Sequence, residues 1–236
     1  MLTTVLLKIY THSILRESLA FRGGTALNKL IFKPASRYSE DIDLVQIAPG
    51  PIGTILTLIR ELIDPLLGKS TCDRSKAGAT LCYKTMSDEG FPLRIKIEIN
   101  TREHFSILGF QDYTFVSTSS WHSGTAIIRS YQAEELLGTK MRALYQRRKG
   151  RDLYDLYTAL VIMPMLDKAK IVHCFKEYMQ REDNYVSQIA FLGNMEAKLQ
   201  NKEFCEDIFP LLPKHVDIFN ANEAYEYVRQ HLLEYE

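Results

Sequence analysis

The chain has 236 residues, 46% of them hydrophobic and 25% charged, which is the composition of an ordinary folded protein with enough length for one large or two small cores. Its 29 basic and 29 acidic side chains cancel, so no global charge draws it to nucleic acid or membrane, and any such partner has to meet a local patch. No apolar run approaches the ~20 residues of a spanning helix, and the N-terminus lacks the pattern of a secretory signal. The four cysteines, Cys72, Cys82, Cys174 and Cys205, lie far apart without C-x-x-C or zinc-ligand spacing, as expected of a reduced cytoplasmic protein with free thiols.

In chain order, Val5, Leu6, Ile9, Ile14, Leu15 and Leu19 recur at three- and four-residue intervals and predict one amphipathic helix or two short ones over residues 3–20. Gly23-Gly24-Thr25 then forms a turn whose bare backbone can approach phosphate oxygens closely, with a short helix over Thr25 to Ile31. After a loop at Pro34 and Ser36, a strand is predicted from Asp41 to Ile47. Strand residues two apart share a face, so Asp41 and Asp43 present their carboxylates together while Ile42 and Leu44 turn to the core. Paired carboxylates repel unless a cation lies between them, and hard oxygen donors with open positions suit magnesium carrying a nucleotide's phosphates. A helix follows from Ile52 to Leu67.

The next stretch reads as sheet. Ala79 to Thr85 and Leu93 to Ile99 are strands joined through the turn Ser87-Asp88-Glu89-Gly90, which implies an antiparallel pair. The second alternates without a fault and carries Glu98 on its polar face. If that strand neighbours the Asp41 strand, Glu98 becomes a third converging acid; otherwise it is a surface partner for a basic neighbour. Tyr113 to Val116 and Thr125 to Arg129 add short strands.

From residue 131 helical patterns take over, dividing the chain into 1–130 and 131–236. Tyr131 to Lys149 is read as a helix with Ser130 as N-cap, Gly150 as stop, and Arg147, Arg148 and Lys149 in its last turn. Lys140 sits mid-helix among apolar residues, where a point charge could serve a triphosphate. A second helix opens at Arg151, with Asp152 as its cap and Asp155 complementing the dipole. Further helices are predicted over Lys168 to Arg181, Tyr185 to Gln200 and Asn222 to Tyr235. The basic residues from Lys140 to Arg151 offer a short local electrostatic footing for a polyanion.

Taken together, FRGGTALNKL and RYSEDIDL within Phe21 to Leu44, KIEINTRE from Lys96 to Glu103, and KMRALYQRRKGRDLYDLY from Lys140 to Tyr157 resemble the AbiEii-type nucleotidyltransferase toxins of type IV toxin–antitoxin and abortive-infection systems. The resemblance covers most of residues 20–160. It implies an α+β fold: a polymerase β-like nucleotidyltransferase core with a small mixed sheet, followed by a C-terminal helical domain that completes the nucleotide cleft. By the same resemblance, Asp41, Asp43 and Glu98 are the metal-binding and catalytic acids. Lys140 and Asp152 are the later catalytic pair, and Gly23, Gly24, Thr25, Arg37, Ser39, Lys140, Arg148 and Arg151 are nucleotide contacts. Mg2+ would be the cofactor, an NTP the substrate, the 3′ end of tRNA or another RNA the acceptor, and a cognate antitoxin encoded nearby the partner. Two alternatives remain open from the residues: an enzyme that phosphorylates or nucleotidylates a protein such as its own antitoxin, and a catalytically silent nucleotide- or RNA-binding module.

Overall fold

A computed structural model describes residues 1–39, 41–86, 90–119, 122–214 and 219–234. The predicted turn at Ser87-Asp88-Glu89 and the Tyr235 end of the last predicted helix lie outside the described residues. Contacts gather into two compact units, Met1–Leu30 with Glu40–Tyr131 and Ile31–Ser39 with Gln132–Glu236. The short segment 31–39 thus leaves the first unit and rejoins it, an excursion that a linear division at residue 130 does not contain.

The first unit is built on a seven-stranded mixed sheet. Its strands are β1 (Leu19–Arg22), β2 (Asp41–Gln46), β3 (Thr71–Ser75), β4 (Gly78–Met86), β5 (Pro92–Asn100), β6 (Phe110–Ser119) and β7 (His122–Tyr131), in the spatial order β3-β4-β5-β2-β1-β7-β6. β2 and β5 run parallel, as do β1 and β7, and the other neighbours are antiparallel. Phe21, Leu44, Ile99 and Ala79 line up across four strands, and all are buried. That apolar face is the consequence of the alternation in β2 and β5, because residues paired across strands share a side. Helices α1 (Leu2–Thr11), α2 (Ser13–Ser18) and α4 (Gly53–Leu67) pack against the sheet with Val5, Leu6, Ile9, Leu15, Ile59 and Ile63 fully buried. The opposite parity places Arg22, Asp43, Glu98 and Thr80 in one row on the other face.

β1 and β3 are absent from the sequence reading. β1 is three buried apolar residues and Arg22, extending the preceding helical pattern, and β3 is an exposed edge strand with no apolar face to mark it. The helix after the glycines also starts earlier than predicted: α3 (Gly23–Ala26) includes both glycines and runs into a π-helical turn at Leu27–Ile31.

The second unit is helical: α5 (Ala133–Gln146), α6 (Gly150–Ile162), α7 (Lys168–Gln180), α8 (Gln188–Leu199), α9 (Lys202–Glu206) and α10 (Ala221–Val228), the last continuing as a π-helical turn at Arg229–Leu233. Three capping expectations are corrected here. Ser130 is the penultimate residue of β7, with its hydroxyl donated to the Phe21 carbonyl at 2.6 Å, so it caps nothing. α5 ends at Gln146, which leaves Arg147, Arg148 and Lys149 outside its last turn. Gly150 opens α6 instead of closing α5, and a Cβ there would meet the Phe204 carbonyl oxygen at 2.0 Å, a close approach only glycine permits. All four cysteines are free thiols. Among the described residues, no helix is long and apolar enough to cross a membrane.

Candidate active site

In the first unit, the glycine turn and the acidic strand meet directly. Arg22 pairs across strands with Asp43, and Gly23 follows with φ of 78°, a left-handed conformation that favours glycine. A Cβ on Gly23 would lie 2.1 Å from Asp43 Oδ2 and 2.9 Å from its Cγ, so the Asp43 carboxylate rests on the bare Gly23 backbone. Thr25 is buried and donates its hydroxyl to the Asp41 carbonyl at 2.6 Å, and Asn28 donates to the Gly24 carbonyl at 3.0 Å. The first bond ties the turn to the head of β2 and commits the Thr25 hydroxyl to that task, and the second braces the turn from the helix that follows it.

β5 lies beside β2, with Asp43 opposite Glu98 and Asp41 opposite Lys96. Parallel pairing therefore puts all three acids on one sheet face, with Asp43 and Glu98 on strands ~4.8 Å apart. The Lys96 ammonium is 3.5 Å from the Glu98 carboxylate, so a basic side chain stands among the acids. Among the described residues, no three His, Cys, Asp or Glu side chains are placed to hold a metal ion together. The donor chemistry nonetheless fits magnesium: hard carboxylate oxygens from a rigid strand, with open positions around them.

A cavity of about 220 Å³ opens over this row, lined by Arg22, Asp43, Glu98, Thr80, Ser75 and Asn100 among others. Arg22 is ion-paired with Glu103, which also accepts from Asn100 Nδ2 at 3.2 Å. Burial opposes the Arg22 charge, but Glu103, helped by Tyr131 and then Asp43, more than offsets it and raises the guanidinium's pKa. Arg22, Asn100 and Glu103 were not singled out from the sequence. The signal available is a basic residue immediately before the paired glycines and the N-T-R-E run that begins at the last residue of β5.

In the second unit, an ion network around two buried aspartates joins five side chains. Lys140 Nζ lies 2.9 Å from both Asp152 Oδ1 and Asp155 Oδ2. Arg37 grips Asp155 with two bonds of 2.7 and 2.8 Å, and Arg147 grips Asp152 with two bonds of 2.7 and 2.9 Å. Both aspartates are fully buried. Burial alone would raise the Asp152 carboxyl, yet Lys140 and Arg147 hold it far below the usual carboxylate range. Likewise burial would strip the Lys140 proton, and Asp152 and Asp155 raise its pKa instead.

This network corrects the reading of Asp152 as a helix cap. Its side chain turns to Lys140 and Arg147, while the first turn of α6 is capped from outside by Asp207, which accepts from the Arg151 amide at 3.2 Å. Asp207 also pairs with Lys149 at 3.3 Å and Arg151 at 3.6 Å, and Glu182 with Arg142 at 3.0 Å. The basic run from Lys140 to Arg151 is thus largely neutralised within its own unit. Arg148 is exposed and makes no ion pair among the described residues. Arg37, expected at phosphate, has Nε and Nη2 on Asp155 and Nη1 on the Tyr38 carbonyl at 2.9 Å, with the Ser39 hydroxyl 3.4 Å away.

Comparison with known proteins decides the family. A model described as nucleotidyl transferase AbiEii toxin, type IV toxin–antitoxin system, matches residues 5–229. The chain belongs to the AbiEii family. It is accordingly a nucleotidyltransferase, and its family is that of toxin–antitoxin toxins. Solved structures at low sequence identity share the fold of this AbiEii chain. MenT4, a nucleotidyltransferase toxin from Mycobacterium tuberculosis H37Rv, is 16% identical with a TM-score of 0.69, the match covering 98% of this chain and 80% of MenT4. JHP933 from Helicobacter pylori is 14% identical with a TM-score of 0.58, covering 98% and 87%. No curated protein sequence matches.

Proposed function

We propose that this AbiEii protein transfers a nucleotide from an NTP to the 3′ end of an RNA, with tRNA the leading acceptor, and that this transfer requires magnesium. The observation that carries the reading is the seating of the Asp43 carboxylate on the Gly23 backbone, with Glu98 in register on the adjacent parallel strand. In this mechanism Asp41 and Asp43 would hold the metal with Glu98 completing the acidic set. A bound magnesium ion would supply Lewis-acid polarisation of the phosphoryl oxygens.

The chain's own groups would do the rest. The bare Gly23 backbone would seat the Asp43 carboxylate, where any side chain would strike it, and the turn's amides would approach the phosphates. Glu98 would take the proton from the acceptor's terminal hydroxyl, whose oxygen then bonds to the α-phosphorus as the bond to the β-phosphate oxygen breaks and pyrophosphate leaves. The network around Lys140 and Asp152 would act by rigidity, since each of its buried charges already has a partner.

Support for an RNA acceptor comes from the sheet. Lys84 and Arg94 stand directly opposite each other on β4 and β5, on the face that carries Lys96 and Asp41. Like charges placed opposite one another cost stability unless an anion joins them. A phosphate backbone leading to the acids would be that anion. A cognate antitoxin would complete the system, as the type IV class implies.

The reading is tested by incubating the protein with magnesium, total tRNA and each α-labelled NTP in turn, then resolving RNA by size. Label entering tRNA supports it. Label confined to protein would replace it with modification of a protein acceptor, and no covalent label from either α- or γ-labelled NTP would favour a silent binding module.

A further inference from the structure

Arg22 is the most informative side chain that the reading above leaves without a task. It ends β1 immediately before Gly23, pairs across strands with Asp43, and lines the same cavity as Asp43 and Glu98. A guanidinium has five N–H donors in a rigid fork. Among the described residues, its hydrogen-bond partner is Glu103 alone, through Nη1. The side chain is 21% exposed and lines the cavity. Buried polar groups are satisfied, and a fork of donors in a concave site is suited to a phosphoryl group, which it can grip in two places.

Glu103 is in turn held by a purpose-built turn. Asn100 Oδ1 accepts from the amides of Arg102 and Glu103 at 2.8 and 2.9 Å, and its amide nitrogen donates to the Glu103 carboxylate. One arginine therefore stands among Asp43, Glu98 and Glu103, positioned by the last of these. Two of the side chains expected at phosphate are otherwise engaged: Arg37 on Asp155, and the Thr25 hydroxyl on the Asp41 carbonyl.

We propose that Arg22, held in place by Glu103 and Asn100, grips a phosphoryl group of the nucleotide's triphosphate next to Asp43. The proposal rests on the nucleotidyltransferase reading for its substrate class. Arg22 is thereby a residue that touches substrate, and Glu103 a positioning residue. The bland alternative is that Arg22 merely fastens the 100–103 turn to β1, which predicts a change in stability and none in phosphate binding.

The probe is inorganic tripolyphosphate with magnesium, which samples the phosphate site whatever base the enzyme prefers. Titration calorimetry on the full chain compares wild type, Arg22→Gln, Arg22→Lys and Glu103→Gln, with thermal denaturation of each. The expected result is a loss of affinity of about tenfold or more in Arg22→Gln, a smaller loss in Arg22→Lys, which keeps the charge without the fork, and the smallest in Glu103→Gln. In transfer assays Arg22→Lys raises KM for the NTP more than it lowers kcat. If Arg22→Gln fails to fold, Arg22→Lys decides alone. Wild-type affinity and KM in the folded arginine variants would overturn the proposal, as would absence of tripolyphosphate binding to wild type. Failure of the transferase reading looks different: wild type binds tripolyphosphate through Arg22 yet moves no α-label to any acceptor.

Discussion

Gly23→Ala tests the architecture at its tightest point. The new methyl would sit 2.1 Å from Asp43 Oδ2 and 3.1 Å from Asp43 Cβ. Reaching an ordinary contact of about 3.4 Å requires the carboxylate oxygen to retreat by about 1.3 Å, the difference of the two distances. Rotation of the carboxylate relieves the first contact and leaves the second, so the β2 backbone or the turn has to move as well. The φ of 78° adds a cost of about 1–2 kcal/mol for any side chain at this position. A displacement of that size at a catalytic group costs roughly a hundredfold in rate. Transfer from α-labelled NTP should therefore fall by about that factor, with unfolding stability lowered by only about 2 kcal/mol. A folded Gly23→Ala protein with near wild-type transfer would refute the placement of Asp43 in the reaction.

Arg37→Ala leaves Asp155 fully buried with Lys140 as its remaining partner, so denaturant unfolding should show a loss of about 3–5 kcal/mol. Arg37→Met with Asp155→Met should lose less than the two single changes summed, because the second removes the charge that the first strands. The acid limb of stability should carry the signature of Asp152. Its folded pKa is depressed, so its contribution is present above the unfolded pKa of about 3.9 and is lost as pH falls toward the folded value. Unfolding curves of wild type and Asp152→Asn, well separated at pH 6, should converge as the pH drops below about 4; parallel curves would contradict the network. On the sheet face, Lys84→Glu and Arg94→Glu should raise KM for an RNA acceptor and flatten its salt dependence, leaving KM for the NTP unchanged.

Much of the first unit is legible because period-two alternation is a strong signal where one sheet face is buried. Asp41-Ile42-Asp43-Leu44 and Leu93 to Ile99 announce both their strands and which side chains share a face. Their adjacency is a tertiary fact, and only the sheet order establishes that Asp43 stands opposite Glu98. β3 escapes because an exposed edge has no alternation to detect. The network of the second unit escapes for a different reason: Arg37 and Asp155 are 118 residues apart, and a charge read locally looks like a cap or a ligand until its distant partner is known. That is how Asp152 came to resemble a helix cap and the run from Lys140 to Arg151 a footing for RNA. Arg22 shows the reverse error, since a lone basic residue before two glycines gives no local sign of the acids folded around it.

The central claim is that the acids of β2 drive attack on the α-phosphorus of an NTP. The direct measurement compares α- and γ-labelled NTPs, with magnesium and total tRNA, on wild type and Asp43→Asn. The account predicts α-label on RNA with release of the γ-label as pyrophosphate, and neither event in the folded Asp43→Asn variant. Label from the γ position on protein, or unaltered transfer by Asp43→Asn, would contradict it.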